Sequence, residues 1–143
     1  MSNLPNQNSW DRFWTVDAPQ AVRRSWSKQR IERLLLETSP QGVVLDAGCG
    51  SGYFSKFFSD QGFETIALDY SAQALNLARR LTGGKVRAVQ ANLVLGDLTD
   101  KVSGQKMGLI FSDGLLEHFG EGDRDRILRN FYSVLDEDGY VVT

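Results

Sequence analysis

The sequence predicts an α/β fold: a three-layer, doubly wound and mostly parallel sheet with helices leading into it from the N-terminus. Three observations predict it. From residue 43 onward, short apolar runs of strand type alternate with helical patterns, and strands separated by helices of about ten residues imply right-handed crossovers and parallel pairing. The first run, Val43-Val44-Leu45, breaks at Asp46 into Ala47-Gly48-Cys49-Gly50-Ser51-Gly52, with glycine at every second position. Polar residues or glycines then collect at each strand end: Asp46 and Gly48, Asp69, Asn92, and Ser112-Asp113-Gly114. In open α/β sheets that is where ligands bind.

The elements follow in order. Trp10, Phe13 and Trp14 lie at i, i+3 and i+4, which suits a short amphipathic helix over 9–16, ended near Ala18-Pro19 by the restriction proline places on its predecessor. A second helix is expected over 20–37, with Val22, Trp26, Ile31, Leu34 and Leu35 as its apolar side and Thr38-Ser39-Pro40-Gln41-Gly42 as its stop. Its Arg23, Arg24, Lys28, Arg30 and Arg33 read as a solvated face rather than a nucleic-acid stripe. Residues 43–45 suit a strand covered on both faces, and glycine at 48, 50 and 52 lets a ligand approach bare backbone. Tyr53, Phe54, Phe57 and Phe58 share one face of the next helix, closed by Gln61-Gly62. A second strand runs over 63–69. Ser71 caps a helix carrying Ala74, Leu75, Ala78 and Leu81, ended by Thr82-Gly83-Gly84. Residues 86–91 and 107–111 are the third and fourth strands. A helix over 123–135 presents Ile127, Leu128, Phe131, Val134 and Leu135, and Asp136-Glu137-Asp138-Gly139 turns into a fifth strand over 140–143.

At 143 residues the chain makes one domain, with 1–40 as an N-terminal helical segment, a lid or pocket wall, and 41–143 as the ligand-binding part. Hydrophobic residues make up 41% and charged residues 24%, with a formal net charge of −2. That balance offers no global field for nucleic acid and points to small-molecule or protein partners. A single cysteine, Cys49, excludes an intramolecular disulfide and fits a reducing, cytoplasmic setting. One histidine and one cysteine supply too few ligands for a zinc cluster. No apolar run reaches the roughly 18 residues of a membrane span, and residues 1–8 lack a signal-peptide core.

The glycine spacing restricts the ligand. In G-x-G-x-x-G the third small residue allows close packing beside a pyrophosphate, but here that position is Tyr53. The pattern is D-x-G-x-G-x-G from Asp46 to Gly52, and over 41–143 the chain resembles the class I S-adenosylmethionine (SAM) dependent methyltransferases of small-molecule type. The resemblance implies a Rossmann-like domain that holds SAM, and the product S-adenosylhomocysteine, with Asp46, Gly48, Cys49, Gly50 and Gly52. Asp69, about 20 residues beyond the glycines at a strand end, is positioned to accept hydrogen bonds from ribose hydroxyls. Ile66-Ala67-Leu68-Asp69-Tyr70-Ser71 resembles the family's second motif, which implies Tyr70 against adenine. The family usually carries an adenine-binding aspartate in the following segment; Asn92, followed by Leu93, stands there, with Asp97 a competing candidate that reads better as a turn residue. Ser112 would face the methionine part. Residues 108–119 resemble the fourth motif, ending Glu117-His118. His118 is a candidate substrate contact or general base near neutral pH, and Glu117 could pair with it or orient it. Cys49, near a helix N-terminus that would lower its thiol pKa, is a weaker candidate nucleophile.

The function expected is methyl transfer from SAM to a small acceptor. Two other readings remain: a non-catalytic or incomplete SAM-binding module needing a partner or a further C-terminal segment, and an NAD-dependent oxidoreductase, disfavoured by Tyr53. Family members continue past the fifth strand with a helix and two more strands. An apolar edge over 140–143 therefore suggests either a piece of a longer enzyme or a homo-oligomer formed through that edge.

Overall fold

The computed structural model describes residues 6–16 and 23–143. Val22 and the Ala18-Pro19 stop lie outside the described residues. The elements are α1 (Gln7–Val16), α2 (Trp26–Glu37), β1 (Val43–Ala47), α3 (Tyr53–Asp60), β2 (Thr65–Asp69), α4 (Ala72–Leu81), β3 (Arg87–Gln90), single-turn α5 (Leu98–Lys101), β4 (Met107–Phe111), a 3₁₀ turn (Leu116–His118), α6 (Glu121–Val134) and β5 (Leu135–Val142). Among the described residues no helix is long and apolar enough to cross a membrane.

The five strands form one sheet in the order β3-β2-β1-β4-β5, and every pairing is parallel. The order reverses direction at β1, between β2 and β4, so the crevice beyond its C-terminal end is the switch point of the sheet. Alternation along the strands sorts their side chains into two cores. On one face Val44, Leu109 and Phe111 meet Leu35 of α2 and Phe54 and Phe58 of α3, and Ala67 meets Leu75 and Ala78 of α4. On the other face Leu45, Ala47, Ile66, Leu68 and Ile110 meet Ile127, Phe131 and Val134 of α6. The expected three-layer, doubly wound architecture is present. The N-terminal helices precede the sheet as expected, and the strand order stops at β5.

Three local readings need correction. Helix α2 starts at Trp26 rather than near residue 20, because the Ser25 hydroxyl accepts the Lys28 N–H and caps it. Its buried side is Ile31, Glu32 and Leu35; Trp26 and Leu34 are 72% and 53% exposed, and Trp26 lies beneath the Arg30 guanidinium, 4.8 Å from the ring centroid. On α6, Leu128 faces outward. Finally, β5 begins at Leu135, directly after α6. Leu135 pairs with Met107 and Tyr140 with Leu109, so 136–139 bulge out of register between them. The acidic run is therefore an interruption within the strand and not a turn before it.

Candidate functional site

The loop after β1 is tied to its neighbour. The N–H groups of Gly48 and Cys49 donate to the Leu68 carbonyl at 2.8 and 2.9 Å, so the turn closes over the end of β2. Each of the three glycines has a positive φ, and each turns its bare Cα face towards a different neighbour. A methyl group on Gly48 would lie 2.9 Å from Leu115 Cδ1, on Gly50 2.4 Å from Trp14 Cη2, and on Gly52 2.6 Å from the Ala78 Cα. Gly52 thus serves the packing of α3 on α4, while Gly48 and Gly50 face the crevice beyond the strand ends.

Asp69 ends β2 and fastens two elements with one carboxylate. Its Oδ2 accepts the Gly50 N–H at 2.9 Å and its Oδ1 accepts the Ser71 N–H at 2.9 Å. Glycine turn and α4 N-terminus are thereby held at a fixed separation. Burial raises the Asp69 pKa, and the backbone hydrogen bonds from Ser71 and Gly50 oppose that rise. The Tyr70 N–H also hydrogen-bonds this carboxylate, which leaves acceptor capacity for a further donor.

Asp46, the penultimate residue of β1, is buried, with Oδ2 accepting the Ser55 hydroxyl of α3 at 2.6 Å. Burial pushes its carboxyl up to about 7, the Ser55 hydrogen bond opposing it and the Asp69 charge adding to it. The sign follows directly. The folded state keeps this proton to about pH 7, whereas an unfolded aspartate releases it near pH ~4. Between those values the folded chain binds the extra proton, so this contribution to stability is greatest at low pH, falls as pH rises towards 7, and is flat above. Asp46→Asn keeps an acceptor for Ser55 without the charge. Its stability relative to the parent is expected to be roughly 2–3 kcal/mol more favourable at pH 8 than at pH 5. Urea unfolding at both pH values measures it, and an equal difference at the two would refute the buried charge.

The other sequence candidates divide by what their side chains already do. Cys49 is buried against Ala67, Leu75 and Ala78, and burial raises its thiol well above the ordinary value. A helix N-terminus therefore does not activate it, and only its backbone reaches the turn. Leu93 likewise belongs to the core. Asn92 Oδ1 accepts the N–H groups of Val94 and Leu95 at 2.9 and 3.2 Å, which fills both lone pairs and leaves its amide N–H donors. Asp97 caps α5 through the Thr99 N–H. Tyr70 is exposed at the end of β2. The Ser112 hydroxyl, buried, is within 2.7 Å of the Thr143 hydroxyl. His118 and Glu117 are exposed on the 3₁₀ turn, and His118 lies edge-on to Trp10 at 5.0 Å between ring centroids.

Two residues at the site, Asp11 and Glu32, escaped the sequence reading. Helix α1 crosses the strand ends: Trp14 covers Gly50, Trp10 meets His118, and Asp11 accepts the Ser71 hydroxyl and the Gln73 N–H. Glu32, buried, joins α2 to the start of α3 by accepting the Tyr53 hydroxyl at 2.6 Å and the Arg24 guanidinium at 2.8 Å. Burial first, and then the Glu32 hydrogen bond, push the Tyr53 phenol up to about 12. Lys28 Nζ sits 4.2 Å from the Tyr53 ring centroid. The signal for Glu32 was an acid set between Ile31 and Leu35 on the apolar stripe; nothing local marked Asp11.

A parallel sheet in this order, with a glycine turn after its central strand and a carboxylate ending the neighbouring one, defines a Rossmann-like ligand-binding domain. The chain belongs to the methyltransferase-domain family, whose pattern matches residues 44–139. It is 33% identical over 99 residues to a malonyl-(acyl-carrier protein) O-methyltransferase of Hamiltonella defensa, covering 69% of this chain and 36% of that protein. It is 34% identical over 105 residues to a glycine/sarcosine/dimethylglycine N-methyltransferase of Actinopolyspora halophila, covering 70% and 18%. The chain therefore spans well under half the length of these relatives. Among solved structures, a TehB-like SAM-dependent methyltransferase of Corynebacterium glutamicum superposes with a TM-score of 0.71 at 25% identity, covering 94% of this chain and 70% of that one.

Proposed function

We propose that this chain binds S-adenosyl-L-methionine across the strand ends of β1, β2 and β4 and takes part in methyl transfer to a small-molecule acceptor. The observation that carries the reading is the Asp69 carboxylate, held between the Gly50 and Ser71 amides beside the bare Gly48–Gly50 backbone. The residues fit such a cofactor. Asp69 keeps acceptor capacity for a ribose hydroxyl, Tyr70 offers an exposed aromatic face beside the same strand end, and the Asn92 amide still has donors for adenine. A pyrophosphate fits poorly, because the Tyr53 side chain stands at the start of α3, engaged by Glu32.

When bound, the sulfonium supplies an already activated methyl group. The chain's own task is then orientation and exclusion of water. Gly48 and Gly50 admit the ligand to backbone contact, Asp69 sets its register along β2, and Ser112 and Asp113, directly after β4, would serve the methionine part. His118, exposed on the turn after β4, would contact the substrate or accept a proton at an imidazole nitrogen from an acidic acceptor, with Glu117 beside it. The relatives act on different acceptor atoms, being O- and N-methyltransferases, so the cofactor half of the site carries the reading and the acceptor follows from chemistry outside it. Calorimetric titrations with SAM, S-adenosylhomocysteine and NAD test it: binding of the first two without the third is expected, and binding of NAD alone would overturn it.

A further inference from the structure

Glycine at 50 keeps one face of the turn open to close approach, and in this structure the group that approaches is the indole of Trp14. A methyl group on Gly50 would lie 2.4 and 2.5 Å from its Cη2 and Cζ2 atoms, so the ring rests directly on the bare backbone. A ligand held by that backbone needs the same space. We propose that α1 is an autoinhibitory plug: docked as in this structure, Trp14 holds the Gly50 face of the cofactor site, and S-adenosylmethionine enters after α1 lifts. The proposal rests on the SAM-binding reading above.

The manner in which α1 is attached supports a detachable role. Among the described residues, none of the three core clusters includes a residue of α1. Phe13 is 44% exposed and packs edge-on to Trp10 and Trp14 within its own helix. Beside the contacts of Trp14 with Gly50 and Trp10 with His118, a polar latch holds the helix. Asp11 accepts the Ser71 hydroxyl and the Gln73 N–H at 3.3 Å, which places a carboxylate at the N-terminus of α4, where unpaired N–H groups and the helix dipole favour it. Few contacts with the core clusters and a latch of two hydrogen bonds, the stronger only partly buried, are the marks of a segment that opens locally at low free energy. The latch also communicates with the site. Ser71 gives its hydroxyl to Asp11 and its backbone N–H to Asp69, so the residue that fastens α1 also fastens the carboxylate assigned to the ribose.

The test uses the full chain, with S-adenosylhomocysteine as the probe. Its affinity is measured calorimetrically for the parent, Trp14→Ala and Asp11→Asn, and hydrogen exchange of the amides of 7–16 is followed in the parent with and without the probe. A plug reduces apparent affinity by the fraction of chains that are open, so both variants are expected to bind about tenfold more tightly, and the probe is expected to speed exchange in α1. Weaker binding by both variants, together with slower exchange in α1, would make the helix a wall that closes on the ligand and would overturn the plug while leaving the SAM reading intact. Absence of binding by the parent and by both variants would remove the reading and the plug together.

Discussion

Gly52→Ala is expected to destabilise the chain by about 3–5 kcal/mol, through left-handed strain of roughly 1–2 kcal/mol plus overpacking of α3 on α4. Gly52 sits at φ 85° before the first residue of α3, and a methyl group there would meet the Ala78 Cα and Cβ, each at 2.6 Å. Backbone cannot rotate aside as a side chain can. Ala78 is fully buried with Leu75 of the same helix against Ala67 of the sheet, so relief requires α4 to shift as a body. Gly62→Ala is the matched control, since Gly62 has φ 90° with nothing within 4 Å of the added carbon; it isolates the conformational strain and is expected to cost about 1 kcal/mol. Thermal melting compares them, with a fall of about 10 °C expected for Gly52→Ala. Equal melting temperatures for the two variants would mean that the α3–α4 contact yields freely.

Asp69→Ala is expected to weaken S-adenosylhomocysteine binding about 100-fold or more, because charge-assisted hydrogen bonds contribute roughly 1.5–3 kcal/mol each. Two losses act together. The ribose hydroxyl loses its acceptor, and the Gly50 and Ser71 N–H groups lose the carboxylate that holds the turn against α4. Asp69→Asn separates them, since its single amide oxygen can hold one of those N–H groups while the Nδ2 side, a donor, repels the other. An intermediate loss is expected for that variant. Calorimetry well below each variant's melting temperature is the measurement, and unchanged affinity in Asp69→Ala would remove Asp69 from the site.

Much of the sheet was legible because its signals are local. The 107–111 run became β4 with the same bounds, and Asp69 closes β2 at the position expected for it. A buried parallel strand needs a run of apolar residues, and a strand ending in a ligand crevice needs a residue that stops the run. The aromatic helix was legible for the same reason: Phe54 and Phe58, four residues apart, turn to one face and are the pair that becomes buried. Where the local signal is ambiguous the structure departs from it. Trp26 and Leu34 look like core residues by type, yet α2 docks on Leu35 and Glu32, because a second aromatic layer from α3 already fills the space above Val44. The 136–139 segment has turn composition, and only its pairing on either side with Met107 and Leu109 makes it a bulge within a strand.

The sequence by itself determined the class of fold, the order of its elements and the four strand ends where polar residues gather, since these follow from periodicity, glycine conformation and short-range capping. Tertiary structure alone decided where α1 lies, that Asp46 is buried against Ser55, that Gly52 serves helix packing, and that Asp69 divides its carboxylate between two elements. Those outcomes depend on which surfaces meet across tens of residues, as when Asp11 reaches Ser71. No window of neighbouring residues encodes such a meeting; it is settled by the crossover geometry of the sheet and by which polar groups must find partners once the core is filled.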